Sequence, residues 1–342
     1  MLGWWGERNM TIVITGAAGF IGSALAETLL ARGDNVLGID NLNDYYDPQI
    51  KRDRLARVQG SAGGNRFAFA NCDFSDMAAL KTAVGDRKIE AIVHLGAQAG
   101  VRYSLENPAA YIQSNLVGHA NMLEIARHSE VGHLVYASSS SVYGGNDKLP
   151  FSVDDRVDHP LSLYAATKKA DELMSETYAH LYRLPQTGLR FFTVYGPWGR
   201  PDMAMWIFTR KILAGDPIPV FNKGEMWRDF TFIDDIVAGV VAALDKPPAD
   251  DGLVKAGGSS KPHAIYNIGN NRSEKLTRVI GLIEQACGRK AEIDYQPMQN
   301  GDVQRTYADI DAIRNDLGYE PTTGIDVGIP RFVDWYRDYH GS

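Results

Sequence analysis

The sequence is poor in cysteine, in long apolar runs and in excess positive charge. Cys72 and Cys287 are its two cysteines, too few for a disulfide framework and without the spacing of a zinc site. We therefore expect no metal and a reducing, cytoplasmic location. No apolar stretch reaches the ~18 residues that a membrane span needs. The formal charge of −7, from 35 Lys+Arg against 42 Asp+Glu, argues against nucleic-acid binding through bulk positive charge.

The first nine residues carry no recognisable targeting signal. They read MLGWWGERN, without a basic start, an apolar core or a small-residue cleavage site. A secretory signal peptide combines these three features. We therefore expect the folded part of the chain to begin at Met10, where the first strand pattern starts.

Short apolar strands alternate with helical patterns in the first half of the chain. Predicted strands cover 10–15, 35–40, 66–70, 91–94, 134–137 and 187–192. Between them, apolar residues recur at helical spacing from Phe20 until Gly33, and then near 76–84, 108–128 and 161–184. Strands separated by helices imply βαβ units. We predict an α/β fold, a Rossmann-type doubly wound parallel sheet.

The regular alternation fades after Tyr195, where proline and glycine become more frequent. Short strands are predicted at 218–221 and 264–268, with helices near 235–244 and 274–287. We expect a smaller mixed α/β lobe over the carboxyl ends of the main strands. The doubly wound domain would comprise residues 10–194 and 230–269, and the lobe residues 195–229 and 270–342.

A glycine triplet, G-x-x-G-x-x-G, joins the first strand to the first helix. Gly16 permits a tight turn, Gly19 lets the backbone approach a pyrophosphate, and Gly22 allows close helix–strand packing. The helix N-terminus attracts phosphate. Asp40, at the end of the second strand, suits the adenosine ribose hydroxyls and repels a 2′-phosphate, which favours NAD over NADP. The alternative is a glycine turn and a helix-capping aspartate.

Two further loops follow predicted strands at the edge where a parallel sheet binds ligands. Asp73-Phe74 is placed to meet the adenine, and Gly96-Ala97-Gln98 to line the middle of the cofactor, although either segment alone is equally typical of a loop cap. The predicted cofactor-binding residues are Gly16, Gly19, Phe20, Ile21, Gly22, Asp40, Asn41, Asp73, Phe74, Gly96, Ala97, Gln98, Tyr164 and Lys168.

A Ser/Tyr/Lys constellation supplies the second chemical signal. Tyr164 and Lys168 stand at i and i+4 on a predicted helix. A serine run over 138–141 follows the fifth strand, at the same ligand edge. A free tyrosine is a poor base at neutral pH, but a nearby lysine cation and an oxidised nicotinamide favour its phenolate. The alternative is a serine-rich turn beside a surface helix.

These motifs, taken in order, resemble the extended short-chain dehydrogenase/reductases and the nucleotide-sugar epimerases among them. The resemblance covers nearly the whole chain from Met10. It implies that Tyr164 is the acid/base on a sugar hydroxyl and that Lys168 tunes it and holds the nicotinamide ribose. It also implies that Ser139 orients the substrate, a role that Ser141 is close enough to share.

Three segments resemble the UDP-glucuronate 4-epimerases of that family: GAQAGVRYS at 96–104, RFFTVYGPWGRPDM at 190–203 and PVFNKGEMWRDFTFIDD at 219–235. The resemblance implies that Arg228 and Arg305 grip a UDP diphosphate and that Phe221 packs on the uracil. Sister dehydratases and decarboxylases carry an acid where this chain has Ser140 and Ser141. The substrate-binding residues are then expected to be Arg102, Ser139, Ser140, Ser141, Thr193, Arg200, Phe221, Arg228 and Arg305.

The resemblance implies an NAD-dependent isomerase that epimerises UDP-glucuronate to UDP-galacturonate. The sugar is oxidised at C4, turns over and is reduced again. Ser140, Ser141 and Thr193 are candidates to hold the substrate carboxylate, with Arg102 less favoured; ordinary turn and capping hydroxyls are the alternative. Epimerisation of neutral UDP-sugars, decarboxylation and a non-catalytic NAD-binding protein are the competing functions. The resemblance also implies a homodimer, because the helices near 108–128 and 161–184 have the positions through which the family dimerises; plain core packing of their apolar faces is the alternative.

Overall fold

A parallel sheet organises the computed structural model, which describes residues 10–299 and 301–341. The expectation for residues 1–9 lies outside that range. The strands are β1 (Thr11–Thr15), β2 (Asn35–Asp40), β3 (Phe67–Asn71), β4 (Ile89–His94), β5 (His133–Ser139), β6 (Gln186–Phe191), β7 (Thr193–Tyr195), β8 (Ile218–Phe221), β9 (Trp227–Phe232), β10 (His263–Ile268), β11 (Ser273–Lys275) and β12 (Ile293–Gln296). Within the described residues, seven strands form the sheet in the order β10-β6-β5-β4-β1-β2-β3, and every pairing is parallel. The predicted doubly wound fold is confirmed.

Helices connect these strands and continue beyond them. They are α1 (Phe20–Arg32), α2 (Pro48–Gly60), α3 (Met77–Val84), α4 (Tyr103–Glu106), α5 (Pro108–Tyr111), α6 (Gly118–His128), α7 (Leu163–Tyr182), α8 (Ala204–Ala214), α9 (Ile233–Leu244), α10 (Leu276–Cys287), α11 (Asp311–Leu317) and α12 (Ile325–His340). A π-helix, Ile112–Val117, joins α5 to α6. The helix predicted over 108–128 therefore exists, but its backbone widens by one residue per turn in the middle.

The main sheet is buried on both faces. Side chains of successive strand residues point to opposite faces. Along β1, Ile12 and Ile14 belong to a core that includes Leu25 of α1, whereas Val13 belongs to a core that includes Leu123 of α6. This arrangement explains why the strands read as continuous apolar runs instead of alternating ones.

Two small sheets lie outside the main one. β8 pairs with β12, while β7 and β11 flank β9. The helix predicted near 274–287 begins at Leu276, because Glu274 belongs to β11. β9 is anchored by Asp229, which is fully buried. The carboxylate of Asp229 accepts hydrogen bonds from the backbone N–H of Asn270 at 2.6 Å and of Ala308 at 3.1 Å.

Replacing this carboxylate should destabilise the fold. Asp229→Asn keeps the shape but loses one acceptor oxygen, which leaves a buried backbone N–H unpaired; that costs about 2 kcal/mol of unfolding free energy. Urea denaturation followed by circular dichroism measures the change. Asp338→Asn, on the exposed side of α12, is the matched control and should unfold like the wild type. Equal stability of all three proteins would contradict the anchoring role.

Candidate active site

A cleft opens at the carboxyl ends of β1, β4 and β5. The strand order reverses between β1 and β4, and such a reversal leaves a crevice that binds ligands in doubly wound folds. The loops after these strands line the cleft. The cleft contains all the predicted cofactor-binding residues except Asp73: Gly16, Gly19, Phe20, Ile21, Gly22, Asp40, Asn41, Phe74, Gly96, Ala97, Gln98, Tyr164 and Lys168.

The glycine turn forms a cradle with no room for side chains. Gly16 has a φ of +70°, a conformation that favours glycine, and a Cβ there would lie 2.9 Å from the Gly96 nitrogen. A Cβ on Gly19 would lie 2.8 Å from the Gly16 carbonyl oxygen, and one on Gly22 would collide with the same oxygen. Gly22 therefore allows α1 to approach the turn after β1. The atoms nearest to a side chain at Gly22 belong to this turn and not to the strand against which we expected the helix to pack. The cradle and the start of α1 fit a dinucleotide pyrophosphate.

Asp40 is buried beside this cradle. Its carboxylate accepts hydrogen bonds from the backbone N–H of Ala18 at 3.1 Å and of Leu42 at 2.9 Å. Burial raises its pKa, although both hydrogen bonds and Lys51 oppose the rise. The carboxylate thus ties the glycine turn to the loop after β2.

Of the next predicted pair, one residue faces the cleft and the other does not. Phe74 lines it, with its ring edge-on to His94 at 5.2 Å between centroids. Asp73 lies outside the lining and acts as a loop cap, accepting from the Ser75 backbone N–H at 2.8 Å and from the Asn41 side chain at 3.0 Å. Asp73 is not among the residues that line the cleft, but its partner Asn41 is, so a contact between Asp73 and the adenine stays a prediction.

The Tyr/Lys pair and one serine converge in the cleft. Tyr164 lies in the first turn of α7, whose end is capped by Ser162. Lys168 is almost completely buried, and its Nζ donates to the Ala137 carbonyl oxygen at 2.9 Å. Ser139, the last residue of β5, also lines the cleft; its Oγ accepts from the Ser141 backbone N–H at 3.1 Å. A hydroxyl, a phenol and an ammonium group therefore share one space.

A buried ion pair holds this corner in place. The guanidinium of Arg190 on β6 donates to both carboxylate oxygens of Glu172 on α7, at 2.8 and 2.9 Å. Ser138 donates to the same carboxylate at 2.7 Å. Burial opposes ionisation of Glu172, but the hydrogen bonds and charge of Arg190 hold its pKa below the ordinary value. The pair fixes α7 against β5 and β6, and so fixes Tyr164 relative to Ser139.

The π-helix contributes a buried clamp that sequence reasoning missed. Asn115 accepts from the Gln98 backbone N–H at 2.8 Å and donates to the Gln98 carbonyl oxygen at 3.1 Å. It also donates to Thr167 Oγ1 on α7 at 3.0 Å. The loop after β4 is therefore held to the helix that carries Tyr164. An asparagine within an amphipathic helical pattern was the available signal.

The loop after β2 supplies a wall of the cleft that was also missed. Tyr45 and Lys51 line it, and Lys51 Nζ donates to the Asn43 carbonyl oxygen at 2.7 Å. Tyr45 donates to Asp202 at 3.2 Å, and Asp202 pairs with Arg200. Arg200, which we expected among the substrate ligands, thus lies on the cofactor cleft beside Tyr45.

The remaining candidates for the substrate carboxylate lie around the main cleft. Ser140 and Ser141 form the short 3₁₀ turn after β5, and neither belongs to the cleft lining in the described chain. Thr193, on β7, lines a smaller neighbouring cleft that shares Arg200 and Met203 with the main one.

Three other predicted substrate residues meet around one carboxylate. The Arg102 guanidinium lies 4.9 Å from the centre of the Phe221 ring. Asp302 is 3.5 Å from Arg102 and 3.7 Å from Arg228. Burial lowers the pKa of Arg228, which Asp302 opposes. Arg305 lies nearby through its β-bridge with the backbone of Trp227. Two guanidinium groups and an aromatic ring suit an anionic nucleotide.

The described residues hold neither a cluster of metal ligands nor a membrane-spanning helix. Residues 10–299 and 301–341 contain no group of three or more His, Cys, Asp or Glu side chains that could hold a metal ion. Over the same part of the chain, none of the helices combines the length and apolar character needed to cross a membrane.

Comparison with known proteins gives one consistent result. The model of the "NAD dependent epimerase/dehydratase family" matches residues 12–269. The probable UDP-glucuronate 4-epimerase of Rhizobium meliloti (strain 1021) is 46% identical over 96% of this chain and 97% of its own length. UDP-glucuronic acid 4-epimerase from Bacillus cereus, in complex with UDP-glucuronic acid and NAD, is 30% identical with a TM-score of 0.83, over 96% of this chain and all of its own. UDP-glucose 4-epimerase from Thermotoga maritima is 28% identical with a TM-score of 0.85, over 97% and 100%. The chain belongs to the NAD-dependent epimerase/dehydratase family.

Proposed function

We propose that this protein is a UDP-glucuronate 4-epimerase that interconverts UDP-glucuronate and UDP-galacturonate with bound NAD. The observation that carries the proposal is the single cleft in which Tyr164, Lys168 and Ser139 lie beside the glycine cradle. The similarity over nearly the full length to a relative with this activity in its name supports it. The same comparison favours glucuronate over a neutral sugar.

The cofactor site fits NAD through the cradle of Gly16, Gly19 and Gly22 and the carboxylate of Asp40. When bound, NAD supplies a hydride acceptor and donor beside the sugar. Residues 10–194 and 230–269 would hold this cofactor, and residues 195–229 and 270–342 the UDP-sugar. The cradle excludes side chains at three positions, which leaves the backbone N–H groups to meet the phosphates.

Tyr164 acts as the acid and base of the reaction. Its phenolate takes the proton of the sugar 4-hydroxyl as the C4–H bond breaks, and gives that proton back after the 4-keto sugar has turned over. Lys168 stabilises the phenolate, because its charge is held in a water-poor site by the Ala137 carbonyl. Ser139 orients the hydroxyl. Proton and electrons return to the substrate, so the net change is inversion at C4.

The substrate diphosphate would bind Arg102 and Arg228, with the uracil against Phe221. In the structure Asp302 lies between these two guanidinium groups. A diphosphate carries more negative charge than one carboxylate, so we expect it to displace Asp302 from both arginines. Arg305, whose backbone forms a β-bridge with Trp227 next to Arg228, would complete the anion site.

The substrate carboxylate needs restraint during the reaction. Oxidation at C4 makes the uronate a β-keto acid, which loses CO₂ when the breaking bond aligns with the ketone. Ser140 and Ser141 offer hydroxyls at the end of β5 without the repulsion that an acidic side chain would bring. They would hold the carboxylate out of alignment.

A second copy of the chain would cover an apolar surface on one side of the protein. Five large apolar side chains are between 38% and 62% exposed on the segment from α4 to the π-helix and on α7: Leu105, Ile112, Val117, Leu173 and Leu181. These helices contact one another, and exposed apolar side chains on neighbouring helices are typical of an interface. We propose a homodimer formed through these helices, in the cytoplasm.

Removing the phenol tests the acid/base role. Tyr164→Phe should lower turnover of UDP-glucuronate by roughly 10³-fold or more, because the proton of the 4-hydroxyl then has no acceptor. NMR of the products and the NAD content of the purified protein are the measurements, and NAD should remain bound. Tyr178→Phe, farther along the same helix and bonded to Glu124, is the control. Wild-type turnover by Tyr164→Phe would sink the mechanism.

Removing one serine hydroxyl tests the carboxylate site. Ser141→Ala should lower kcat/KM for UDP-glucuronate by roughly 10- to 100-fold, since a hydrogen bond to a charged group contributes roughly 1.5–3 kcal/mol, and should raise the yield of a UDP-pentose by-product. Ser141→Thr keeps the hydroxyl and should retain the wild-type product. If by-product and kcat/KM are unchanged in Ser141→Ala, this serine does not hold the carboxylate.

Charging the apolar surface tests the dimer. The double substitution Leu173→Glu and Leu181→Glu should convert a dimer to a monomer in analytical ultracentrifugation, because four carboxylates would be buried per interface. Leu253→Glu, at a residue 67% exposed in the loop after α9, is the matched control and should stay dimeric. A dimer in the double variant would place the interface elsewhere.

A further inference from the structure

Lys168 faces a buried carboxylate one turn along its own helix. Its Nζ lies 3.2 Å from Oδ2 of Asp171, and the two side chains are only 4% and 1% exposed. The other hydrogen-bond partner of this Nζ is the uncharged Ala137 carbonyl. The second carboxylate oxygen, Oδ1 of Asp171, is buried and has no hydrogen-bond partner within the described residues. The cation of the active site therefore has a counterion in direct contact.

We propose that Asp171 is a positioning residue that regulates how strongly Lys168 stabilises the Tyr164 phenolate, and thereby sets the acid limit of the reaction. The inference rests on the proposed function, in which Tyr164 is the base. When Asp171 is ionised, it offsets the charge of Lys168 at the phenol. When Asp171 is protonated, the phenol experiences the whole charge of Lys168.

The surroundings leave Lys168 as the counterion of Asp171. Glu172, the next residue, repels Asp171, but its charge is balanced by Arg190 on β6. His119 on α6 is neutral, because burial lowers its pKa well below the usual value, and burial raises the pKa of Tyr136 on β5 well above its own. The titratable and charged groups facing the pair are Lys168 and Glu172 on α7, His119 on α6, Tyr136 on β5, Arg190 on β6, and His94 on β4, which faces Lys168.

The burial that isolates Asp171 also opposes its ionisation. Burial raises its pKa to about 7, although Lys168 opposes the rise. As the pH falls through this value, Asp171 binds a proton and the charge of Lys168 is no longer offset. The phenolate is then retained to a lower pH than it would be beside a permanently ionised carboxylate. The two acids titrate as a coupled pair, and each spreads the titration of the other.

The decisive substitution is Asp171→Asn, which removes the charge and keeps the shape. The holoenzyme is titrated by ultraviolet difference absorbance, with the same protein carrying Tyr164→Phe subtracted to isolate the phenolate. We expect the midpoint of the phenolate titration to move down by about 0.5–1 pH unit, and the acid limb of kcat/KM for UDP-glucuronate to move with it. Glu176→Gln is the matched control. It removes a negative charge from α7 at a residue bonded to His263, away from Lys168, and should leave the midpoint unchanged.

Two further measurements distinguish an effect of Asp171 on the Tyr164 phenolate from a failure of Asp171→Asn to fold. Asp171→Glu restores a carboxylate and should return the midpoint toward that of the wild type. The wild type itself, with only Tyr164→Phe subtracted, should show a phenolate curve broader than that of a single proton, a result that does not depend on whether Asp171→Asn folds. An unshifted or raised midpoint in Asp171→Asn, or a one-proton curve in the wild type, would overturn the inference. Because the absorbance titration needs no substrate, it stands whether or not UDP-glucuronate is epimerised.

Discussion

The ion pair between Glu172 and Arg190 is the interaction on which the geometry of the site depends. It joins α7 to β6, and Ser138 adds the end of β5 to the same carboxylate. Arg190 also donates to the Tyr143 hydroxyl, which donates to Asn267 on β10. A buried charge left without its partner costs roughly 3–5 kcal/mol. One network therefore fixes the helix that carries Tyr164 and the strand that ends in Ser139, and neither can move without leaving a buried charge unpaired.

Several basic side chains of the site are each paired with a carboxylate of the protein itself. Asp302 faces Arg102 and Arg228, Asp202 faces Arg200, and Asp171 faces Lys168. These pairs would let a protein with a formal charge of −7 maintain the proposed site for an anionic nucleotide. The arginine pairs are partly exposed, so an entering anion can compete for them. The pair of Lys168 and Asp171 is much more deeply buried, at 4% and 1% exposure, so an entering anion has little access to it.

The sequence predicted those parts that depend on local pattern. Buried parallel strands appear as apolar runs, and a glycine turn is recognisable because a Cβ at Gly16, Gly19 or Gly22 has no space. Contacts between distant segments were harder to predict. Asp73 and Phe74 are neighbours in sequence, yet Phe74 reaches the cleft and Asp73 caps its own loop. Strand position alone does not show which of two adjacent side chains points inward.

The π-helix next to the site shows why some local structure could not be predicted from the sequence. A helical pattern over 108–128 describes the apolar face but not the π-helix inside it, because the widened turn is stabilised by partners distant in sequence. Asn115 satisfies both backbone groups of Gln98 and reaches Thr167 on α7. π-Helices are rare and occur frequently at functional sites. Here the widened turn joins the loop after β4 to the helix of Tyr164 and Lys168. In the proposed reaction, the loop that meets the nicotinamide and the base that acts on the sugar would therefore share one support, so a shift in either would be transmitted to the other.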